Sequence, residues 1–269
     1  MSDSVSRKNF VAILGTATAA AAVPSTAIAA EPMQMAANTA QPGGMAPLGN
    51  EPEAYLYFTE PEAAFIEAAV ERLIPTDALG PGARSAGVAF FIDQQLVGAF
   101  GTAAKMYTGG PWLPGSPNQG YQLRQTPAEL YRQGIAATEK YCNATYQSGF
   151  AALTAAQQDT VLKGLDGGTI TFEIVPAKSF FEMLLQNTLE GFFGDPLYGG
   201  NRDKVGWKLV GFPGVAAYYA NKITDYNKPY TVAPVSIADV QQGRPVAAGH
   251  ELMHHMAMEN AAKLDKVNQ

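Results

Sequence analysis

Residues 177–207 read AKSFFEMLLQNTLEGFFGDPLYGGNRDKVGW, and this stretch is the most informative part of the chain. From Ala177 to Glu190, apolar residues recur at helical spacing and form a doubled ridge, which predicts a helix that ends at Gly191. The segment from Gly191 to Trp207 mixes glycines, aromatics and charged residues, which predicts an ordered loop without regular structure. Aromatic side chains are rarely left in water, so this loop either folds back on its own core or contacts another molecule.

Four upstream segments also show helical spacing, and we expect their helices to open at Thr59, Ser85, Thr126 and Thr154. Three of these starts carry the Thr-x-x-Glu/Gln pattern of a capping box. Residues 109–117 contain three prolines and three glycines, which predicts a long loop between the second and third helices. Trp112 within this loop is either a lid over the core or a contact for a partner.

Strand signals are weak, because only Thr169 to Val175 alternates between apolar and polar residues. That segment allows one short strand or hairpin arm. The sequence therefore predicts a mainly α fold: a single helical domain with long ordered loops rich in glycine, proline and aromatics, and at most a short β-hairpin.

The chain divides into four regions. Residues 1–29 have the features of an export signal: Arg7-Lys8, then an uncharged alanine-rich stretch, then small residues before a cleavage site. The signal is Tat-like, with Lys8 where the second arginine of a twin-arginine pair would stand. A membrane anchor is the alternative interpretation, because residues 9–30 contain no charge. Residues 30–52 are expected to be a flexible leader, 53–230 the helical domain, and 231–269 a C-terminal tail with a possible terminal helix from Ala247 to Lys263.

Charge excludes one class of function. The formal net charge of the 269 residues is −6, and lysines and arginines do not cluster. A protein that binds nucleic acid non-specifically needs a basic surface to displace counterions from phosphates. We therefore expect no nucleic-acid partner.

The sequence lacks the motifs that hold common electron carriers. It contains no G-x-G-x-x-G after a strand, no P-loop and no C-x-x-C-H for attached haem, and a single cysteine cannot hold an iron–sulfur cluster. Hydride and electron transfer require such a carrier. We therefore expect neither catalytic residues nor a cofactor in this chain.

One motif resembles a catalytic site. His250-Glu251-Leu252-Met253-His254 matches H-E-x-x-H, whose two histidines can ligate zinc on one helix face while the glutamate acts as general base. A catalytic zinc needs a third protein ligand, and the only other histidine is the adjacent His255. A chance match on a solvated helix is the preferred interpretation, so no metal site is predicted.

Cys142 is the only cysteine, and in an exported chain it has two interpretations. It could form a disulfide bridge to a partner chain, which makes it a candidate partner-binding residue. It could equally be a buried small hydrophobe. The sequence leaves both open.

The segment Asp195-Pro196-Leu197-Tyr198-Gly199-Gly200-Asn201-Arg202-Asp203, followed by Gly206-Trp207-Lys208-Leu209-Val210-Gly211-Phe212-Pro213-Gly214, resembles the gluconate 2-dehydrogenase subunit 3 family. Weaker similarity extends back to about residue 53. The family comprises small subunits of membrane-bound, FAD-dependent sugar and sugar-acid dehydrogenases.

The resemblance implies that catalysis and electron transfer belong to other subunits of a complex. In such complexes the redox work belongs to a catalytic subunit with FAD and a multihaem cytochrome c subunit, and the small subunit carries neither cofactor. It implies a non-catalytic subunit that supports export, maturation and stability of the flavoprotein. The expected location is the periplasm, with contact to the inner membrane through partners, and the expected reaction of the complex is oxidation of gluconate to 2-ketogluconate. A free-standing exported sugar-binding protein and a zinc hydrolase are the alternatives.

The loop that follows the longest apolar ridge is the predicted partner-facing surface. Tyr198 and Trp207 are of the types that dominate interface energies, and Arg202 can bind a carboxylate through two parallel hydrogen bonds. Asp195 can accept backbone N–H groups and fix the loop. The candidate partner-binding residues are Asp195, Tyr198, Asn201, Arg202, Trp207 and Cys142. An internally satisfied loop, with Arg202 paired to Asp195 or Asp203, is the alternative.

Overall fold

The computed structural model describes residues 54–107, 109–113, 115, 116, 119, 122–215 and 224–243. Within these ranges the chain forms α-helices and no strand, which confirms the mainly α prediction. Thr169–Val175 is irregular, so its weak alternation does not produce a strand. The helices are α1 (Glu60–Leu73), α2 (Val88–Val97), α3 (Pro127–Tyr146), α4 (Ala155–Asp166), α5 (Ala177–Phe193), α6 (Val205–Val210) and α7 (Ile237–Gln241).

Several predictions concern residues outside those ranges. The export signal of residues 1–29, the leader of residues 30–52 and the terminal helix from Ala247 to Lys263 all lie there, so they stay predictions. Of the helices that are described, none combines the length and the apolar character that a membrane crossing requires.

The capping boxes are confirmed at three helix starts. At α3 the Glu129 amide donates to the Thr126 hydroxyl at 3.3 Å, and the Glu129 carboxylate accepts from the Thr126 amide at 2.9 Å. The corresponding pairs open α1 and α4. The predicted start of α2 at Ser85 is wrong, because α2 begins at Val88. Gly87 adopts φ +74°, which interrupts a helical path between Ser85 and Val88.

Helix α5 lies at the centre of the fold, in contact with α1, α2, α3, α4 and α6. It continues through Phe193, past its predicted end at Gly191. Gly191 lies inside the helix because α2 packs closely there: a Cβ would lie 2.7 Å from Cδ1 of Phe91. Gly134 of α3 has a similar role, since its Cβ would lie 2.4 Å from the ring of Phe180.

Aromatic rings fill the space between α1, α3 and α5. Phe65 lies 4.7 Å from Phe150 and 6.3 Å from Phe180, measured between ring centroids. Tyr131 meets Phe180 edge to face at 5.8 Å, and all four side chains are fully buried. Tilted and edge-to-face arrangements are favourable for such rings, so this cluster joins the three helices.

A buried carboxylate joins the N-terminal segment to α2. Asp93 has no exposed surface, and its two carboxylate oxygens accept three backbone N–H groups: Leu56 at 2.8 Å, Tyr57 at 2.9 Å and Phe58 at 2.8 Å. Burying a carboxylate is costly unless hydrogen bonds compensate it. The three amides provide that compensation, and they fix the path of residues 55–58 across the helix.

We predict that Asp93→Asn lowers the free energy of unfolding by about 2–4 kcal/mol, because an amide turns one donor group toward the backbone donors and loses the charge. Urea denaturation followed by circular dichroism measures the change. Asp166→Asn, at an exposed position at the end of α4, is the control and should change stability by less than about 0.5 kcal/mol. Equal urea midpoints for the two variants would show that the Asp93 contacts add nothing.

Candidate functional site

Residues 194–207, which follow α5 and include the first three residues of α6, are called the 194–207 loop below. The sequence predicted a loop without regular structure. The structure differs, because residues 196–198 and 202–204 form 3-10 turns and Val205 starts α6. The backbone of the loop lies directly against the end of α5. A Cβ at Gly200 would lie 2.2 Å from the Gly191 carbonyl oxygen, and one at Gly206 would lie 2.0 Å from the Phe192 carbonyl oxygen. Neither position has room for a side chain, since the obstacle in both is backbone.

Asn201 closes this loop from inside. Its side chain is fully buried; Nδ2 donates to the Gly194 carbonyl at 2.8 Å, and Oδ1 accepts from the Gly206 amide at 2.9 Å. Its backbone adopts φ +48°, a left-handed conformation that asparagine tolerates better than most residues. Asn201 was predicted to bind a partner, but the structure places it where it ties the two ends of the loop together.

Trp207 is also interior. Its indole Nε1 donates to the Phe193 carbonyl at 2.6 Å, and its ring meets Phe212 edge to face at 5.3 Å. Only 4% of the residue is exposed. Trp207 was predicted to bind a partner, and the structure places its indole against a carbonyl at the end of α5.

Asp195 fixes the loop as expected, by accepting backbone N–H groups. Oδ1 accepts from the Leu197 amide and Oδ2 from the Ile237 amide, both at 2.9 Å. The second bond was not foreseen, because Ile237 opens α7, in the region expected to be a tail. The carboxylate therefore connects the loop to a segment 42 residues away in sequence.

Helix α7 holds the other end of the loop. Lys204 forms an ion pair with the buried carboxylate of Asp239, which also accepts from the Ser236 amide and hydroxyl at 2.9 Å each. Burial opposes the charge, but these hydrogen bonds and Lys204 outweigh it and lower the pKa of Asp239 to about 2. Sequence reasoning missed α7, although Ser236-x-x-Asp239 is a capping-box pattern that indicates a helix start.

Three residues of the 194–207 loop are exposed: Tyr198, Arg202 and Asp203. Tyr198 is 53% exposed, and Arg202 is exposed while its backbone amide donates to the Ala86 carbonyl at 3.0 Å. The loop is thus held from within by Asp195, Asn201 and Trp207, and it displays Tyr198 and Arg202. Of the predicted partner-binding residues, these two have the exposure that such a role requires.

Arg202 lines a pocket of about 260 Å³ with Tyr55, Glu67, Arg84 and the first turn of α2. Glu67 accepts from the Tyr55 hydroxyl at 2.8 Å and pairs with Arg84 at 2.8 Å. Partial burial and the hydrogen bond to Glu67 raise the pKa of the Tyr55 hydroxyl, which keeps it protonated. No sequence signal links these residues, because they come from three segments that only the fold brings together.

A second concavity of about 770 Å³ lies between the loop that precedes α3 and one face of α5. Trp112 stands at its edge, 46% exposed, with the Arg124 guanidinium 5.5 Å from its ring centroid. The structure therefore does not bury Trp112 as a lid over the core. Other lining side chains are Met106, Leu113, Gln122, Glu182, Met183 and Gln186.

Cys142 is a free cysteine inside α3, with no exposed surface. Burial, reinforced by the nearby Glu139 carboxylate, raises the pKa of its thiol to about 11. This environment favours the interpretation of Cys142 as a buried small hydrophobe. A disulfide to another chain would require α3 to open.

The H-E-x-x-H motif of residues 250–254 lies outside the described residues, as do all three histidines. Among the residues that are described, no group of three histidine, cysteine, aspartate or glutamate side chains is placed to hold a metal ion.

Comparison with known proteins gives one match. The family described as gluconate 2-dehydrogenase subunit 3 matches residues 60–214, which is more than half of the chain. The matched span contains α1 to α6 and the whole 194–207 loop, and it ends before α7. No curated protein and no solved structure shows a significant match.

We predict that Asn201→Ala lowers the free energy of unfolding by about 2–3 kcal/mol, since it leaves a buried carbonyl and a buried amide without partners. Asn227→Ala is the matched control, because Asn227 is exposed and has a similar φ of +57°. Asn227→Ala has the same conformational cost of placing alanine at positive φ, but it does not remove the two hydrogen bonds that Asn201 makes. Limited proteolysis should cut the 194–207 loop faster in Asn201→Ala alone. Similar urea midpoints for the two variants would contradict the role of Asn201 as a tie.

We also predict that Cys142 reacts with a thiol reagent at pH 8 on the order of 100-fold more slowly in the folded protein than in guanidinium, because burial blocks access and suppresses the thiolate. The measurement is absorbance after addition of Ellman's reagent. A Cys142→Ala variant supplies the background. A Cys142-dependent band shift on non-reducing electrophoresis of a native complex would support the interchain bridge instead.

Proposed function

The chain belongs to the gluconate 2-dehydrogenase subunit 3 family, and we propose that it is the non-catalytic small subunit of a periplasmic, FAD-dependent dehydrogenase complex. Family membership by itself suggests a subunit of a gluconate 2-dehydrogenase-type complex. Our proposal adds the role of this subunit, which is to bind and stabilise the catalytic flavoprotein.

The partners in this proposal carry the electron carriers. A catalytic subunit with FAD oxidises gluconate to 2-ketogluconate, and a multihaem cytochrome c subunit passes the electrons on. FAD accepts the hydride equivalent from the substrate C–H bond, which is chemistry that side chains alone do not supply. This chain contributes neither cofactor and no catalytic residue.

The proposal also covers export. Residues 1–29 supply a Tat-like signal, and a flavoprotein bound to this chain crosses the inner membrane with it in folded form. The mature complex then lies in the periplasm and contacts the inner membrane through its partners. Arg7 and the uncharged stretch that follows support an export signal, while Lys8 stands where a twin-arginine signal has its second arginine.

One observation carries the proposal: the 194–207 loop is held rigidly from within and displays Tyr198 and Arg202 to solvent. Association normally costs free energy for ordering loops and side chains. Here internal bonds from Asp195 and Asn201 have already fixed the backbone. Tyrosine and arginine are enriched among the residues that dominate binding energy, so the exposed pair suits a protein interface.

A free-standing sugar-binding protein is the second candidate, because the 770 Å³ concavity beside Trp112 has the size of a small-molecule site. Its lining mixes the apolar Met106 and Leu113 with the polar Gln122 and Gln186. Such a protein would bind sugar alone, without a flavoprotein.

We predict that the purified native chain elutes in size-exclusion chromatography together with flavin and haem absorbance. The double variant Tyr198→Ala/Arg202→Ala should weaken binding to the flavoprotein by about 30-fold or more, as expected for loss of two central contacts. Tyr226→Ala/Lys163→Ala changes exposed residues of similar type and is the control. Circular dichroism checks that both variants fold.

Two results would contradict the proposal. One is elution of the chain alone, with micromolar binding of gluconate or glucose in calorimetry, which would favour the sugar-binding candidate. The other is equal affinity of the double variant and its control for the flavoprotein, which would place the interface elsewhere.

A further inference from the structure

We propose that the 770 Å³ concavity between the segment before α3 and one face of α5 binds a neutral sugar ring. The proposed function gives this subunit no ligand of its own, so the inference goes beyond it. It also differs from the second candidate function, because it does not require the chain to act without a flavoprotein and it selects an uncharged ring over a sugar acid. The polar groups of the lining, rather than its volume, determine this choice.

Asn187 is a buried amide in the lining of this concavity. The residue is 3% exposed, and its Nδ2 donates to the Tyr131 hydroxyl at 3.1 Å. Among the described residues, no donor bonds to its Oδ1. A polar atom of a buried residue costs free energy when it has no partner, unless water or a ligand supplies one. Asn187 therefore offers an acceptor in a fixed position to a molecule in the concavity.

Two further amides of the lining have the same arrangement. Gln122 Nε2 donates to the Gln119 carbonyl at 3.1 Å, and Gln186 Nε2 donates to Glu190 Oε1 at 2.9 Å. Within the described part of the chain, neither Oε1 accepts a hydrogen bond. The three amides thus use donors within the protein and leave their oxygens as acceptors. A ligand with several O–H groups matches these oxygens, and a ligand with acceptors alone does not.

The charges of the lining favour a neutral ligand. The charged residues that line the concavity are Arg124 and Glu182, one of each sign. The Arg124 guanidinium lies 5.5 Å from the Trp112 ring centroid, and Glu182 lies 3.8 Å from Lys178. The exposed charged residues that adjoin the lining are Lys105, Lys178 and Glu190. These three add one net positive charge, which water and salt screen. An ionic ligand therefore gains little net attraction here, and it loses hydration when it binds.

Trp112 gives the concavity an apolar wall. It is 46% exposed, and Leu113 and Met183 line the same space. The backbone at Gly110 lies against the indole, since a Cβ there would lie 2.8 Å from Cζ3 of Trp112. A sugar ring has an apolar C–H face beside its hydroxyls, and the negative π-surface of an aromatic ring suits that face. Sites for small molecules commonly combine apolar walls with a few fixed polar groups. The lining matches both kinds of surface of a sugar ring.

The test compares three pyranoses of different charge: glucose, glucuronate and glucosamine in its ammonium form. The full chain has two tryptophans, and Trp207 is 4% exposed, so a change in fluorescence on addition of a sugar reports Trp112. We expect saturable binding of glucose and about tenfold weaker binding of both charged rings. Calorimetry on the full chain gives the same dissociation constants independently.

Variants of the lining test the individual contacts. Gln122→Met and Gln186→Met each remove one acceptor oxygen at an exposed position and nearly preserve the shape of the side chain. Each should weaken glucose binding by about fivefold, as expected for one lost hydrogen bond. Trp112→Ala should weaken it by about tenfold, because the apolar wall is lost. Gln241→Met makes the same exchange at an exposed position of α7 and is the matched control. Circular dichroism checks that all variants fold.

The outcomes separate this inference from the proposed function. Glucose binding that Gln122→Met, Gln186→Met and Trp112→Ala all leave unchanged would overturn the site. Tighter binding of glucuronate or glucosamine than of glucose would overturn the choice of a neutral ring. If none of the three sugars binds, the inference is wrong and the proposed function is unaffected. The Tyr198→Ala/Arg202→Ala variant, which tests the proposed function, should bind glucose as the wild type does.

Discussion

The candidate surface depends on the contact between residues 56–58 and α2, which the buried Asp93 carboxylate makes. Asp93 draws the amides of Leu56, Tyr57 and Phe58 onto the helix, and the chain segment they belong to carries Tyr55 into the pocket. The start of the same helix provides Ala86 and Gly87, against which Arg202 lies. The buried carboxylate therefore joins the segment that carries Tyr55 to the helix whose start lies beside Arg202. A carboxyl group without exposed surface is tolerated because three backbone donors surround it.

The 194–207 loop shows how a segment without regular structure can be as well defined as a helix. Gly200 and Gly206 let its backbone lie against carbonyls at the end of α5, and Asn201 uses both ends of its amide to join Gly194 to Gly206. Trp207 covers a further carbonyl of α5. Buried backbone groups need partners, and here side chains of the loop itself supply them. These glycines, Asn201 and Trp207 therefore determine the conformation of the loop. Tyr198 and Arg202, which lie next to them in sequence, face solvent.

The sequence predicted what depends on local pattern. The capping boxes at Thr59, Thr126 and Thr154, the helical class and the ordered loop after α5 all follow from short-range rules. It left burial within the loop open, because a tryptophan after a glycine looks the same in sequence whether its indole meets solvent or the Phe193 carbonyl. Nor could it show the pocket, whose residues come from positions 55–90 and 202 and meet only through the packing of α2 on α5. The start of α2 was misplaced because Gly87 adopts a left-handed conformation, at a point where Arg202, 115 residues later in the chain, lies close to it.

The bonds between the loop and α7 give a structural role to residues that lie after the family match at 60–214. Asp195 reaches the Ile237 amide and Lys204 pairs with Asp239, so α7 holds the loop at both ends from outside while Asn201 holds it from within. Gly214 and Val235 form a parallel bridge that brings this segment back to the end of α6. A loop that is already restrained loses little conformational entropy when it binds. In the proposed interface, less of the free energy of contacts made by Tyr198 and Arg202 would then be offset by the cost of ordering the loop. Under the proposed function, α7 would support the binding surface through these two contacts with the loop.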